Sequence, residues 1–140
     1  MKPPRERPPL SFSQRIRSRV EETESLCLRI RDTLDANGLA RLRFPVELLA
    51  RECLANAIHH GNRCDVDKGI ELRFTVGRKW IRLEVTDEGP GFRWRRGLRR
   101  KRNTAACSGR GLEIYSLYAE RVRFNRSGNR ITLWLGRKQR

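Results

Sequence analysis

The sequence predicts an α+β domain folded as a two-layer sandwich. Three observations carry that prediction: two stretches with helical apolar spacing come first, two pairs of alternating strands follow, and a glycine-flanked helix separates the pairs. Strands that arrive as hairpins favour antiparallel pairing with one buried face, whereas a doubly wound parallel sheet would alternate single strands with helices. The chain shows no internal repeat.

Residues 1–12, opening on "MKPPRERPP", are rich in proline and charge and read as a disordered basic arm ahead of one domain over residues 13–136. From Ser13, a candidate N-cap, Ile16, Val20, Cys27, Ile30 and Leu34 recur at helical spacing until Gly38, a suitable stop. A second helix opens at Pro45, whose fixed φ suits a first turn. Val46, Leu49, Ala50, Cys53, Leu54, Ala57 and Ile58 give it one broad apolar face as far as Gly61. Ile70, Leu72, Phe74 and Val76 then alternate with polar residues, and the alternation returns at Ile81, Leu83 and Val85, which makes a hairpin. A helix over Arg110 to Ala119 precedes a second hairpin, in which Val122 and Phe124 face Ile131, Leu133 and Leu135 across the turn "RSGN".

A chain of 140 residues with 37% hydrophobic and 34% charged content fits one globular domain with one core. No apolar run approaches the roughly 20 residues of a membrane span, and the opening residues lack the apolar segment of a secretory signal. A cytoplasmic protein with no membrane association is therefore expected. Cys27, Cys53, Cys64 and Cys107 show neither CxxC spacing nor the density of a disulfide scaffold, so reduced thiols are expected. No ligand pairs recur at zinc-site spacing, so zinc on Cys64 with His59 or His60 is not. The net charge of +16 attracts polyanions, whether nucleic acid, nucleotide phosphates or acidic proteins, without choosing among them. It is concentrated in "RWRRGLRRKR", Arg93 to Arg102, which holds seven basic residues in ten and no acid and is a candidate nucleic-acid contact.

Three short stretches carry chemistry. Glu52 and Asn56 lie one turn apart beside the apolar face of the second helix. A carboxylate there can take a proton from an attacking hydroxyl, and an amide oxygen can ligate Mg²⁺, a hard cation; alone, the pair reads as a solvated helix edge. "VTDEGPGF" ends a strand on Asp87 and follows it with Gly89 and Gly91, either a tight turn or a place where something binds close to the backbone. "SGRGL", Ser108 to Leu112, puts Gly109 and Gly111 at a helix start, where bare N–H groups favour phosphate; alone, it reads as a structural cap.

In chain order, Glu52-xxx-Asn56, Asp87-x-Gly89-x-Gly91-Phe92 and Ser108-Gly109-Arg110-Gly111-Leu112 together resemble the N, G1 and G2 boxes of the Bergerat-fold ATPases, the superfamily of gyrase and histidine kinases. The small size and the ending "GRGLEIYSLYAERVRFNRSGNRITLWL" look most like the anti-sigma-factor serine/threonine kinases of bacterial partner-switching systems, over about Phe44 to Leu135. The resemblance implies a mixed, mostly antiparallel sheet with helices on one face, and ATP and Mg²⁺ as cofactors. It implies Glu52 as general base, Asn56 as Mg²⁺ ligand and Asp87 as acceptor of the adenine amino group, with Gly89, Gly91 and Phe92 beside the base. Ser108, Gly109, Arg110, Gly111 and Leu112 would hold phosphates at the end of a lid running from Arg93 to Ser108. A carboxylate aimed at an exocyclic amine separates adenine from guanine, whose carbonyl there would repel it.

By the same resemblance, the phosphate acceptor is a serine or threonine of an anti-sigma-factor antagonist, the other partner is a sigma factor, and the protein is a homodimer. Two departures stand out: the lid is far more basic than usual, and no strand signal precedes the opening helix, where relatives have one. The rival reading is a nucleic-acid-binding or sequestering module that keeps an ATPase-like shape without kinase activity. His59 and His60 read as helix-end packing residues. Trp80, Trp94 and Trp134 read as core or edge packing, with Trp94 also able to stack on a base.

Overall fold

Along the long strands the buried apolar residues fall at alternate positions, and the sets of neighbouring strands line up. Ile70, Leu72, Phe74 and Val76 of one strand stand beside Ile81, Leu83 and Val85 of the next, and Ile131, Leu133 and Leu135 complete the sheet's inner face. The computed structural model describes residues 11–91 and 109–138. Their order is β1 (Ser11–Arg17), α1 (Val20–Ala36), a 3-10 turn (Ala40–Leu42), α2 (Arg43–Asn56), a π turn (Ala57–Gly61), β2 (Gly69–Val76), β3 (Trp80–Asp87), α3 (Gly109–Tyr118), β4 (Arg121–Phe124) and β5 (Arg130–Gly136).

The five strands are ordered β1-β2-β3-β5-β4, and each neighbouring pair is antiparallel. The sheet described is thus wholly antiparallel, where a mixed one was expected. β3 and β4 do run the same way, as a crossover through a helix requires, but β5 lies between them and pairs with both. The helices take one face, as expected. Leu26, Ile30 and Leu34 of α1 and Leu49 and Leu54 of α2 are fully buried against the inner strand residues. Each such side chain contributes roughly 1.5–3 kcal/mol by leaving water. α3 packs on α2, with Phe44 and Tyr118 meeting edge to face at 5.9 Å. Among the described residues, no helix lies on the sheet's other face, and none is long and apolar enough to cross a membrane.

The start of the chain corrects the sequence reading twice. Ser13 is not an N-cap but a residue of β1, paired with Arg73, and a first strand does precede the opening helix, at the sheet's edge. Phe12 and Ile16 point inward with 8% and 6% exposure. Their four-residue separation is both one helical turn and two strand repeats, and the inward position between them holds Gln14, whose polarity breaks the alternation. Gln14 is satisfied there because the Arg29 guanidinium donates to its Oε1 at 3.0 Å. Ser11 and Phe12 therefore belong to the sheet and not to the arm. α1 starts only at Val20, which is 55% exposed and no part of the buried stripe. Its first turn carries Glu21 and Glu22, which suit the positive end of the helix. Gly38, at φ +70, follows its end as expected. Residues 1–10 of the arm, Phe92 and the lid from Arg93 to Ser108, with Trp94 and Cys107, lie outside the described residues.

Candidate functional site

α2 does not end cleanly at Asn56. Its last turn widens over Ala57–Gly61 into a π turn closed by the Asn62 N–H on the Ala57 carbonyl at 2.8 Å, and Arg63 and Cys64 follow with left-handed φ of 51 and 59. This detour carries Gly61 against the end of β3. A Cβ on Gly61 would overlap the Asp87 carboxylate, and one on Gly89 would overlap the Gly61 carbonyl. Gly91 has φ +79, and a Cβ there would overlap the Ser127 carbonyl. The space that Gly89 and Gly91 leave open is therefore taken by the protein's own backbone, a reason for glycine that stands before any ligand is considered.

Asp87 is fixed at the close of β3 by a reciprocal clamp. Its N–H donates to the Asn129 carbonyl at 2.9 Å, and Asn129 Nδ2 donates to the Asp87 carbonyl at 3.1 Å. The Gly89 N–H donates to Asp87 Oδ1 at 2.8 Å. Burial pushes the Asp87 carboxyl above its ordinary value of 3.8, against the pull of the Gly89 N–H and the Lys68 charge. Among the described residues, no salt bridge holds this carboxylate.

Asp87, Asn56 and Gly91 line one cavity, together with His60 and Gly61 of the π turn, Tyr115 of α3 and Asn129. Val85, Ala57, Phe124 and Ile131 supply apolar wall. Asn56 is 8% exposed, and its Nδ2 donates to Tyr115 Oη at 2.9 Å. Glu52 stands one turn back on α2, half-buried, with Oε1 3.5 Å from the same nitrogen. Gly109 and Gly111 open α3. At 1.5 Å per residue they lie about 9 and 6 Å along the helix from Tyr115. Gly111 is buried and Leu112 packs against the core; of Arg110 only the backbone is described, and Phe92 and Ser108 lie outside the described residues.

Several site residues were not legible as such. Asn129 looked like ordinary turn chemistry, although an asparagine closing "RSGN" next to a strand was a usable hint. Tyr115 fell on the apolar periodicity of its helix. Asn62, 1% exposed, ties three segments: Nδ2 donates to Ser18 Oγ at 2.8 Å and to the Gly69 carbonyl at 3.0 Å, and Oδ1 accepts the Glu88 N–H at 2.8 Å. Of the two histidines, His60 reaches the cavity, whereas His59 Nδ1 lies 3.3 Å from Cys64 Sγ.

An antiparallel sheet with helices on one face, and a cavity between the end of β3, the last turn of α2 and Tyr115 of α3, define a domain that takes a small ligand between sheet and helices; among the described residues, Gly109 and Gly111 of α3 do not line that cavity. The family described as the histidine kinase-like ATPase domain matches residues 16–135. The chain therefore belongs to the histidine kinase-like ATPase domains of the GHKL superfamily, whose members bind ATP, generally with Mg²⁺. No curated protein matches the chain. The residues fit those groups: an acceptor carboxylate without a salt bridge and apolar walls suit an aminopurine, and amide and carboxylate oxygens suit a hard cation.

Proposed function

We propose that this protein is an ATP-dependent serine/threonine kinase of the anti-sigma-factor type, acting in the cytoplasm on an anti-sigma-factor antagonist and restraining a sigma factor, as a homodimer. The observation that supports it most is Asp87, a carboxylate kept half-buried without a salt bridge in a cavity that Asn56 shares. Such a group loses hydration on folding, and a hydrogen bond from an exocyclic amine restores what burial removes.

Each residue then has a task. Asp87 accepts from the base and selects adenine over guanine. Val85, Ala57 and Ile131 exclude water around the ring plane. Asn56, its Nδ2 donating to Tyr115, would hold Mg²⁺ through Oδ1. Gly109 and Gly111 would present α3's N–H groups to phosphate. Glu52 would take the proton from the acceptor hydroxyl. When bound, Mg²⁺-ATP supplies the transferable phosphoryl group and neutralises its charge.

The test is incubation of the protein with labelled ATP, magnesium and candidate antagonist domains. Label should pass to a serine or threonine of one of them, and Glu52→Gln should abolish transfer while leaving partner binding intact. Equal transfer by Glu52→Gln would remove Glu52 as the base. A second reading, nucleic-acid binding through Arg93 to Arg102 without kinase activity, is favoured by the net charge of +16. Salt separates the two: affinity for nucleic acid should fall by about 10³-fold or more between roughly 50 and 200 mM salt, whereas ATP binding should respond mildly.

A further inference from the structure

On the uncovered face of the sheet, the strand register sets arginine and tryptophan side by side. Arg82 of β3 pairs with Trp134 of β5, which pairs with Arg121 of β4. Their Cα atoms thus cross three adjacent strands in one lane at intervals of about 4.8 Å. The Arg121 guanidinium lies 5.1 Å from the centre of the Trp134 ring. Trp80, 43% exposed, stands next to Arg82 on the same face of β3, and Arg123 stands next to Arg121 on the same face of β4.

The cations of this lane differ from those at the other end of the face. There, Arg73 pairs with Glu71 at 2.8 Å and Arg15 with Glu88 at 2.5 Å. Between the two ends, Glu84 stands in register with Arg73 and with Thr132, the partner of Arg123, and Arg130 approaches it at 3.8 Å, so one acid lies in the lane of Arg123. Arg82, Arg121 and Arg123 are exposed and form no salt bridge among the described residues. Glu120 stands at the margin, over Gly136, and the β2–β3 turn adds exposed Arg78 and Lys79.

We infer that this end of the open face binds single-stranded nucleic acid. The guanidinium fork matches phosphate oxygens, and tryptophan faces stack on bases of any sequence. A second copy is disfavoured because two such faces would bring like charges together. An acidic polypeptide would use the cations but not the ring faces between them. The surface is separate from the nucleotide cavity: Asp87 and Trp80 stand at opposite ends of β3, about 23 Å apart, with side chains on opposite faces.

The test is fluorescence anisotropy of a labelled single strand of about 12 nucleotides, as RNA and as DNA, against the full chain. An Arg82→Gln/Arg123→Gln variant should lose about tenfold or more in affinity, and its log-log salt slope should shrink by about 1.4, at roughly 0.7 per phosphate contact. Trp80→Ala should lose about fivefold or more. Both losses should persist when the arginines of residues 93–102 are replaced by serine. A preference for RNA or DNA identifies the natural strand. Wild-type affinity in the face variants, loss of the effect in the serine background, or equal competition by duplex or by polyglutamate would overturn the assignment. Mg²⁺-ATP should raise the melting temperature of every variant as in the wild type, so failure here leaves the nucleotide reading untouched.

Discussion

Asp87 and Glu88 are consecutive carboxylates at the end of one strand, yet they belong to different regions. Asp87 turns to the helix-covered side, where burial pushes its carboxyl up. Glu88 turns outward, where the Arg15 guanidinium and the Gly69 N–H hold its carboxyl below the ordinary value of 4.5. The same contrast separates the cavity from the open face as a whole. Around Glu88, the outer charges are exposed and meet opposite charges, Arg15 with Glu88 and Arg73 with Glu71, and water screens such pairs. Inside, one carboxylate is kept against the cost of burial and held by backbone alone. A charge that folding does not need is the better indicator of a ligand.

The sharpest way to break this comparison is to disturb the backbone that holds Asp87. Gly89→Ala or Gly91→Ala forces a Cβ into the carbonyl of Gly61 or Ser127 and should cost about 3 kcal/mol, read from urea unfolding. An unchanged midpoint would mean that the contact between turn and strand is not rigid.

Asp87→Asn comes next. It should weaken ATP by roughly 1.5–3 kcal/mol, about ten- to a hundredfold, without destabilising the unliganded protein. Equal ATP affinity in variant and wild type, by calorimetry, would take Asp87 out of the site. Because its carboxyl is raised in the folded state, native Asp87 holds its proton more tightly than the unfolded chain does. Its contribution to stability is complete below about pH 3.8 and is lost as pH rises through the raised value. The stability difference between Asp87→Asn and wild type should therefore grow in the variant's favour as pH rises from about 4. Glu88 has the opposite sign: its contribution is present above about pH 4.5 and lost as pH falls through its lowered value.

Tyr115→Phe removes the hydroxyl that Asn56 Nδ2 reaches at 2.9 Å. The expected loss is about 1 kcal/mol of stability, with a higher magnesium requirement for ATP binding if Asn56 is a ligand. Arg73→Ala on the open face should leave the urea midpoint of the same assay unchanged, because water screens its pair with Glu71. A lowered midpoint would show that the outer charges are structural after all.

What the sequence displayed and what it hid divide along range. α2 and both hairpins were legible because their apolar periods are local and unmixed: Leu49, Cys53 and Ala57 on one side, Leu72, Phe74 and Val76 on the other. β1 was not, because Gln14 interrupts its alternation and Phe12 and Ile16 satisfy either period. The order β3-β5-β4 left no local trace, since it depends on which strand inserts between two others. In the site, Asp87 and its glycines stood out by composition. Asn129 and Asn62 act by gripping backbone far away in the chain and Gly61 by making room for the Asp87 carboxylate, and no window of neighbouring residues encodes that.

The clamp on Asp87 also has a meaning for biosynthesis. Asn129 comes 42 residues after the carboxylate it fixes. A nascent chain in which Glu52, Asn56 and Asp87 have already emerged still lacks one wall of the cavity, because Asn129 and Ile131 have yet to be translated. Ribosome-bound fragments ending before β5 should be blind to nucleotide, and ATP can reward folding only once the closing hairpin has docked.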